Sequence, residues 1–170
     1  EEEFSATNYP AIFVEGGKMY EVDLSLGQLK VRNLKTNEST VYSLSYKDEN
    51  SSINELVPLN NDYFFNLADT LVKGMVNEES KSIELVEMVQ PKFLATLNEK
   101  YDLSYIKSMV SHDDLLYVTY VGRKNTSSAE FIAIINPKTN EVVYEGKLDT
   151  SLTQGLAEDY ELHFTDNDSK

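Results

Sequence analysis

Hydrophobic and polar residues alternate along most of this chain with a period of two. The runs are short and are separated by Gly, Asn, Asp and Ser. Ala11–Val14 is apolar, and Gly16–Gly17 turns the chain. Lys18–Leu24 then alternates, with Met19, Glu21 and Asp23 on one face and Tyr20, Val22 and Leu24 on the other. Ser25–Gly27 is a turn signal, Leu29, Val31 and Leu34 continue strand character, and Thr40–Leu44 closes a first set of four strands. Tyr46–Ser52 reads as a polar loop. A second set follows: Ile53–Leu59, a turn at Asn60–Asn61–Asp62, Tyr63–Leu67, Leu71–Val76, a polar turn at Asn77–Lys81, and Ser82–Val89. A third runs through Leu103–Val110, a turn at Ser111–Asp114, Leu115–Val121, a polar loop at Gly122–Ser128, Phe131–Ile135 and Val142–Leu148. Phe131–Ile135 is almost continuously apolar, as expected of a strand covered on both faces. Asp159–Thr165 has the pattern of one more strand. Residues 1–10 read as a tether or linker, and 166–170 as a frayed end.

One interruption has a different period. Within Pro91–Tyr101, Phe93, Leu94, Leu97 and Tyr101 form an apolar stripe at helical spacing, while Asn98, Glu99 and Lys100 fall on the polar side. Pro91 suits a first helical turn, where its missing N–H is no loss. This predicts a short helix that plugs an apolar face between the second and third sets of strands.

The same turn is written twice. Asn33–Glu38 and Asn136–Glu141 both read N-x-K-T-N-E, and both lead into a strand-like run. Repeated strand–turn–strand units imply a repetitive all-β architecture. The repeats span about 11–46, 53–89 and 103–149, a period of about 45 residues with four strands each. In this respect the chain resembles β-propeller repeat proteins. Phe131–Asn140 (F-I-A-I-I-N-P-K-T-N) looks like the third strand and outer turn of a blade in YVTN- or quinoprotein-type propellers, and Gly17–Asp23 (G-K-M-Y-E-V-D) looks like their second strand. The Gly–His and Trp–Asp pairs of the WD class are absent. The resemblance implies antiparallel four-stranded repeats in a single β-repeat domain over 11–165, propeller-like or a fragment of a propeller, with one short helix. Three repeats do not close a ring, so a longer chain or a homo-oligomer would complete it. The alternatives are a β-sandwich or an α+β antiparallel sheet.

Composition narrows the partners. The chain has 170 residues, is 41% hydrophobic with 11 Tyr and 7 Phe, and carries a formal net charge of −14. That is enough apolar material for a real core. The negative field disfavours nucleic acid and anionic membrane surfaces, and leaves a protein, a small cationic ligand or a carbohydrate as candidate partners. No apolar run has the length of a membrane span, so no membrane insertion is expected. The absence of Cys excludes disulfides and thiolate chemistry. The acidic start Glu1–Glu2–Glu3 suits a tether behind a signal peptide or lipid anchor. The reading is an extracellular or cell-surface bacterial lipoprotein, with a cytoplasmic protein as the alternative.

Few residues carry obvious chemistry. His112 sits among turn-forming residues in Ser111–His112–Asp113–Asp114, and His163 alternates with Leu162 and Phe164. Neither has a second metal ligand at recognisable spacing, so no metal and no cofactor is expected. Asp166–Asn167–Asp168 opens like a calcium loop but lacks its central Gly and distal Glu. No serine-nucleophile elbow and no phosphate-binding Gly loop is present. The aromatic bias points instead to a contact surface. The candidate binding residues are Tyr63, Phe65, Tyr101, Tyr105, His112, Asp113, Asp114 and Tyr120, with no catalytic residue assigned. The expected function is a non-catalytic binding or scaffold module. Its rivals are a carbohydrate-active hydrolase or lyase using acidic residues, and an inhibitor or immunity-type protein.

Overall fold

A computed structural model describes residues 10–46, 53–67 and 70–148. His163, the strand expected at Asp159–Thr165, the segment 166–170 and all of the tether except Pro10 lie outside the described residues. Twelve strands and one helix are present in this range: β1 (Ala11–Glu15), β2 (Lys18–Asp23), β3 (Gln28–Asn33), β4 (Ser39–Ser45), β5 (Glu55–Leu59), β6 (Asp62–Leu67), β7 (Thr70–Asn77), β8 (Ser82–Glu87), α1 (Phe93–Lys100), β9 (Leu103–His112), β10 (Leu115–Lys124), β11 (Ser127–Asn136) and β12 (Glu141–Lys147). The fold is all-β with one short helix, as the alternation predicts.

Turn chemistry makes the repeat visible. In every set the first two strands are joined by two residues with positive φ: Gly16–Gly17 (55° and 76°), Asn60–Asn61 (54° and 66°) and Asp113–Asp114 (50° and 62°). Two successive left-handed residues match the right-handed twist of the strands they join, and Gly, Asn and Asp reach that region at least cost. The third and fourth strands are joined by a longer loop that begins on an Asn. The Asn33 carboxamide oxygen accepts the N–H of Lys35 (2.9 Å) and Thr36 (3.2 Å). That of Asn77 accepts Glu79 and Ser80 (both 3.0 Å), and that of Asn136 accepts Lys138 (3.0 Å). The residue four positions on has positive φ each time: Asn37, Lys81 and Asn140. The turn that the sequence spells twice is therefore built three times, the third with Lys81 where the others have Asn. Asp23 leads a fourth loop of this form, accepting the Leu26 N–H at 3.0 Å and ending on Gly27 at φ 63°.

Two boundaries differ from expectation. The polar stretch Gly122–Ser128 is not a loop: β10 runs to Lys124, β11 starts at Ser127, and Arg123↔Ser128 and Lys124↔Ser127 pair across the hairpin. Exposed strand ends need no apolar residues, so alternation cannot announce them. For the same reason Ser111 and His112 belong to β9, and the turn is only Asp113–Asp114.

The chain divides into two compact units between Met88 and Val89. In the first, the first two repeats share one eight-stranded sheet of order β1-β2-β3-β4-β8-β7-β6-β5. Separate blades would keep four strands apart; here β4 and β8 pair in parallel through Ser43↔Ser82, Leu44↔Ile83 and Ser45↔Glu84. The terminal strands β1 and β5 lie against one another, so the sheet nearly closes. Its interior is packed with Tyr20, Val22, Leu29, Val31, Tyr42, Leu44, Leu56, Phe65, Leu67, Val72 and Ile83. Gly74 gives these side chains room, since a Cβ there would stand 2.9 Å from both Ile83 and Phe65. Near-closure answers the problem of free sheet edges.

The second unit is one repeat, an antiparallel sheet of order β12-β11-β10-β9. Both outer strands are bulged. Thr119 faces Ser108 and Tyr120 faces Ile106, which leaves Lys107 extra in β9; Ile134 faces Tyr144 and Ile135 faces Val142, which leaves Val143 extra in β12. The helix α1 lies on this sheet. Phe93 meets Tyr120 edge-on at 5.2 Å and Phe131 at 5.0 Å. Leu97 and Tyr101 press on Gly122, where a Cβ would come within 2.7 Å of both. The expected stripe is the one used: Leu94 and Leu97 are buried, and Asn98, Glu99 and Lys100 are exposed. Of the apolar strand Phe131–Ile135, only Ala133 and Ile135 are fully buried; β10 is the strand buried without alternation, over Val118–Val121.

Candidate functional site

Tyr63 and Phe65 belong to the first unit and the other six candidate residues to the second, where they do not converge on one place. Phe65 and Tyr120 are 0% and 1% exposed, so their rings fill cores and offer nothing to a ligand. His112, Asp113 and Asp114 stay together at the β9–β10 turn. His112 Nε2 lies 3.2 Å from Asp113 Oδ2, and its ring meets Tyr117 edge-on at 6.2 Å. Asp113 and Asp114 supply the two left-handed residues of that turn, which is what short polar side chains do well. Among the described residues no group of three or more His, Asp or Glu side chains is placed to hold a metal ion.

Tyr63 belongs to a cluster inside the first unit. It meets Tyr20 edge-on at 5.5 Å. The Tyr42 hydroxyl donates to Glu78, whose oxygens lie 2.9 and 3.1 Å away. Lys81 Nζ donates to the same carboxylate at 2.7 Å and stands 5.7 Å from the centre of the Tyr42 ring. Burial raises the pKa of all three phenols. For Tyr42 burial, and then the bond to Glu78, push it up to about 12. The bond from Lys81, followed by that from Tyr42, holds Glu78 below its ordinary value. These shifts move every group away from neutrality. The cluster gives the apolar interior a hydrogen-bonded polar end, with the Tyr42 hydroxyl and the Lys81 ammonium both donating to Glu78. Only Tyr63 of this group stood out in sequence, although the alternation in Lys18–Leu24 already turns Tyr20 inward.

Tyr101 and Tyr105 stand at the same end of β10 in the second unit but on opposite faces of the sheet: Tyr101 packs with Leu97 over Gly122, and Tyr105 pairs with Val121 on the other side. Leu103 pairs with Arg123, and Tyr105 pairs with Val121 two positions further in, on the same face. The Arg123 guanidinium carbon stands 5.9 Å from the Tyr105 ring centre. Tyr101 ends α1, donates its N–H to the Leu97 carbonyl at 2.9 Å, and has Lys100 Nζ 5.7 Å from its ring centre. Asp102 N–H bonds to the Arg123 carbonyl at 3.0 Å, which ties the two strand ends together. Leu103 is 55% exposed and Arg123 is exposed, while Tyr101 and Tyr105 are half-buried. Tyr105, the Arg123 guanidinium and the exposed Leu103 thus share one face at this corner of the sheet, while Tyr101 and Lys100 lie on the helix face. Arg123 was missed in sequence because it was assigned to a loop; paired as a strand residue, it faces Leu103.

The helix that carries Tyr101 is anchored from a distance. Lys92 at its N-cap makes no side-chain cap. Instead Glu145 on β12 accepts the N–H of Lys92 at 3.1 Å and of Phe93 at 3.2 Å. A carboxylate there satisfies orphan donors and sits at the favourable end of the helix dipole. Nothing local in the sequence connects Glu145 to the helix.

No known family model matches this chain, and no curated protein matches it in sequence.

Proposed function

We propose that this chain is a non-catalytic binding or scaffold module built from propeller-type four-stranded repeats, belonging to an exported or cell-surface bacterial protein. Its contact surface in this reading is the corner formed by Leu103, Tyr105 and Arg123. The observation that supports it most is the Arg123 guanidinium held over the Tyr105 ring beside an exposed Leu103. Tyr and Arg are the side chains that dominate contact energies, because they bring large area, directional donors and little lost freedom. The occupant is a protein segment or a carbohydrate; both can stack on Tyr and accept hydrogen bonds from Arg.

The test uses arrays of cell-envelope glycans and surface proteins probed with the chain and with the Tyr105→Ala/Arg123→Ala double variant. The expected result is retention of the original chain on one class of probe, and a loss of at least about tenfold for the double variant at unchanged melting temperature. Equal retention of both would remove this surface. Turnover of chromogenic glycosides by the original chain would replace the reading with the hydrolase.

A further inference from the structure

The outer face of the first repeat is unlike the rest of the described surface. Register places two rows of side chains across its four strands. One row is Val14, Met19, Arg32 and Ser39; the next is Ile12, Glu21, Lys30 and Val41. Val14 is 64% exposed, Ile12 57% and Val41 49%. Leu34, 50% exposed, lies in the turn just beyond Arg32 and Asn33, where its N–H bonds to the Gly17 carbonyl at 3.0 Å. Isolated exposed apolar residues are ordinary, but three on one sheet face with a fourth in the adjoining turn mark a contact surface.

Arg32 lies in the middle of this patch. It is half-buried between Met19 and Ser39, and its Nε is shielded from solvent with no hydrogen-bond partner. That Nε is closed to an incoming group, so it is the terminal nitrogens of the half-buried guanidinium fork that offer a carboxylate two parallel bonds. Lys30 lies in the adjacent row, and Lys35 is exposed on the loop beyond Leu34. With Glu21 between Ile12 and Lys30, the face carries two cations and one carboxylate among its exposed aliphatic side chains, in a chain of net charge −14.

We infer that this face docks a protein segment that carries a carboxylate beside an aliphatic or aromatic side chain. The carboxylate pairs with Arg32, and the apolar neighbour covers Val14 and Leu34. Charge complementarity selects this occupant. A second copy of so acidic a chain is repelled as a whole, and an anionic membrane surface is repelled likewise. The surface is separate from the Tyr105–Arg123 corner and does not depend on it.

The experiment pans a displayed random-peptide library on the whole chain and measures the affinity of the enriched peptides. Their affinities are compared for the original chain, Arg32→Gln, Arg32→Lys, Val14→Ser and, as a control in the second unit, Lys138→Gln. The expected peptides contain Asp or Glu next to an apolar residue. They should lose at least about tenfold in affinity with Arg32→Gln and with Val14→Ser, a large part of it with Arg32→Lys, and none with Lys138→Gln. All these positions are exposed or half-buried on the surface, so melting temperatures should stay put. Enrichment of nothing, of peptides lacking a carboxylate, or of peptides indifferent to Arg32→Gln overturns the inference. So does self-association that Val14→Ser abolishes, which assigns the face to a second copy. Binding of phosphatidylserine vesicles that Arg32→Gln removes assigns it to a membrane and overturns the inference as well.

Discussion

The two units use one hairpin vocabulary and reach different ends. In the first, two four-stranded repeats share a sheet whose outer strands β1 and β5 are brought together. In the second, β9 and β12 are the outer strands among the described residues, each is broken by a bulge at Lys107 or Val143, and α1 covers part of one face. Closure and blunting are both answers to exposed strand edges. The difference teaches that turn chemistry decides how neighbouring strands pair, and that long-range packing decides what becomes of the edges. The first unit stakes its stability on an enclosed interior, and the second on a helix held against a sheet.

The largest effect should come from that interior. Phe65 is fully buried and packs near Gly74 and Ile83. Phe65→Ala removes its ring from a site that cannot collapse easily, and should cost about 3–5 kcal/mol in denaturant unfolding. Hydrogen exchange should show the loss over residues 10–88. Equal loosening of 89–148 would break the comparison, since it would mean the two units unfold as one. The counterpart in the second unit is Leu97→Ala, expected to cost about 2–5 kcal/mol, with faster exchange in β9 and β10. An unchanged melting temperature would mean that the helix does not hold the sheet.

A smaller effect tests the distant helix anchor. Glu145→Ala leaves the N–H groups of Lys92 and Phe93 without their acceptor, and should cost about 0.5–2 kcal/mol, the range of a lost N-cap. Glu145→Gln keeps an acceptor oxygen and should recover part of it.

The first unit should also be the one sensitive to alkali. The Tyr42 bond to Glu78 needs a protonated phenol, and the folded chain raises that phenol from 10.0 to about 12. Its contribution is complete below the unfolded value and is lost as pH rises through the folded one. Stability should therefore fall between pH 10 and about 12, and Tyr42→Phe should make the fall shallower. Identical alkaline profiles would show that Tyr20 and Tyr63 carry the dependence instead.

Much of this local structure is legible in the sequence, and little of the assembly is. Alternation locates strands such as β2 and β3, where Tyr20 and Leu29 are buried between neighbours that are not, while short apolar runs bounded by turn residues locate β6 and β10, which are buried without alternation. The stripe Phe93–Leu94–Leu97–Tyr101 locates the helix for the same reason. The partnership of β4 with β8 is not written anywhere local: Ser43 and Ser82 are ordinary polar residues, and their pairing is a consequence of where two hairpin sets meet. The candidate site shows the same limit. Tyr105 can be named from composition, but Arg123 joins its surface only through the register Leu103↔Arg123, and Tyr101, named on the same ground, falls on the opposite face. Phe65 and Tyr120 looked equally suited to binding, and burial separates them from the others.

The smallest effect sharpens the comparison most, because it asks whether the shared vocabulary has equal weight in both units. Asn33, Asn77 and Asn136 lead equivalent loops, and each accepts backbone N–H groups that the turn would otherwise leave to water. Replacing any one by Ala should cost about 0.5–1.5 kcal/mol, as the loss of exposed hydrogen bonds does. Asn33 and Asn77 each receive two N–H groups within 3.2 Å, whereas the bond to Asn136 runs from Lys138. The two variants in the first unit should therefore lose more than the one in the second. Asp should substitute for Asn at each position with little loss, since Asp23 already leads such a loop by accepting the Leu26 N–H. Denaturant midpoints of the three Ala and three Asp variants test both points. Equal losses for all three Ala variants would mean that the N–H bonds contribute nothing beyond the turn's backbone geometry. Large losses for the Asp variants would mean that the amide group, and not the acceptor oxygen, is what these loops require.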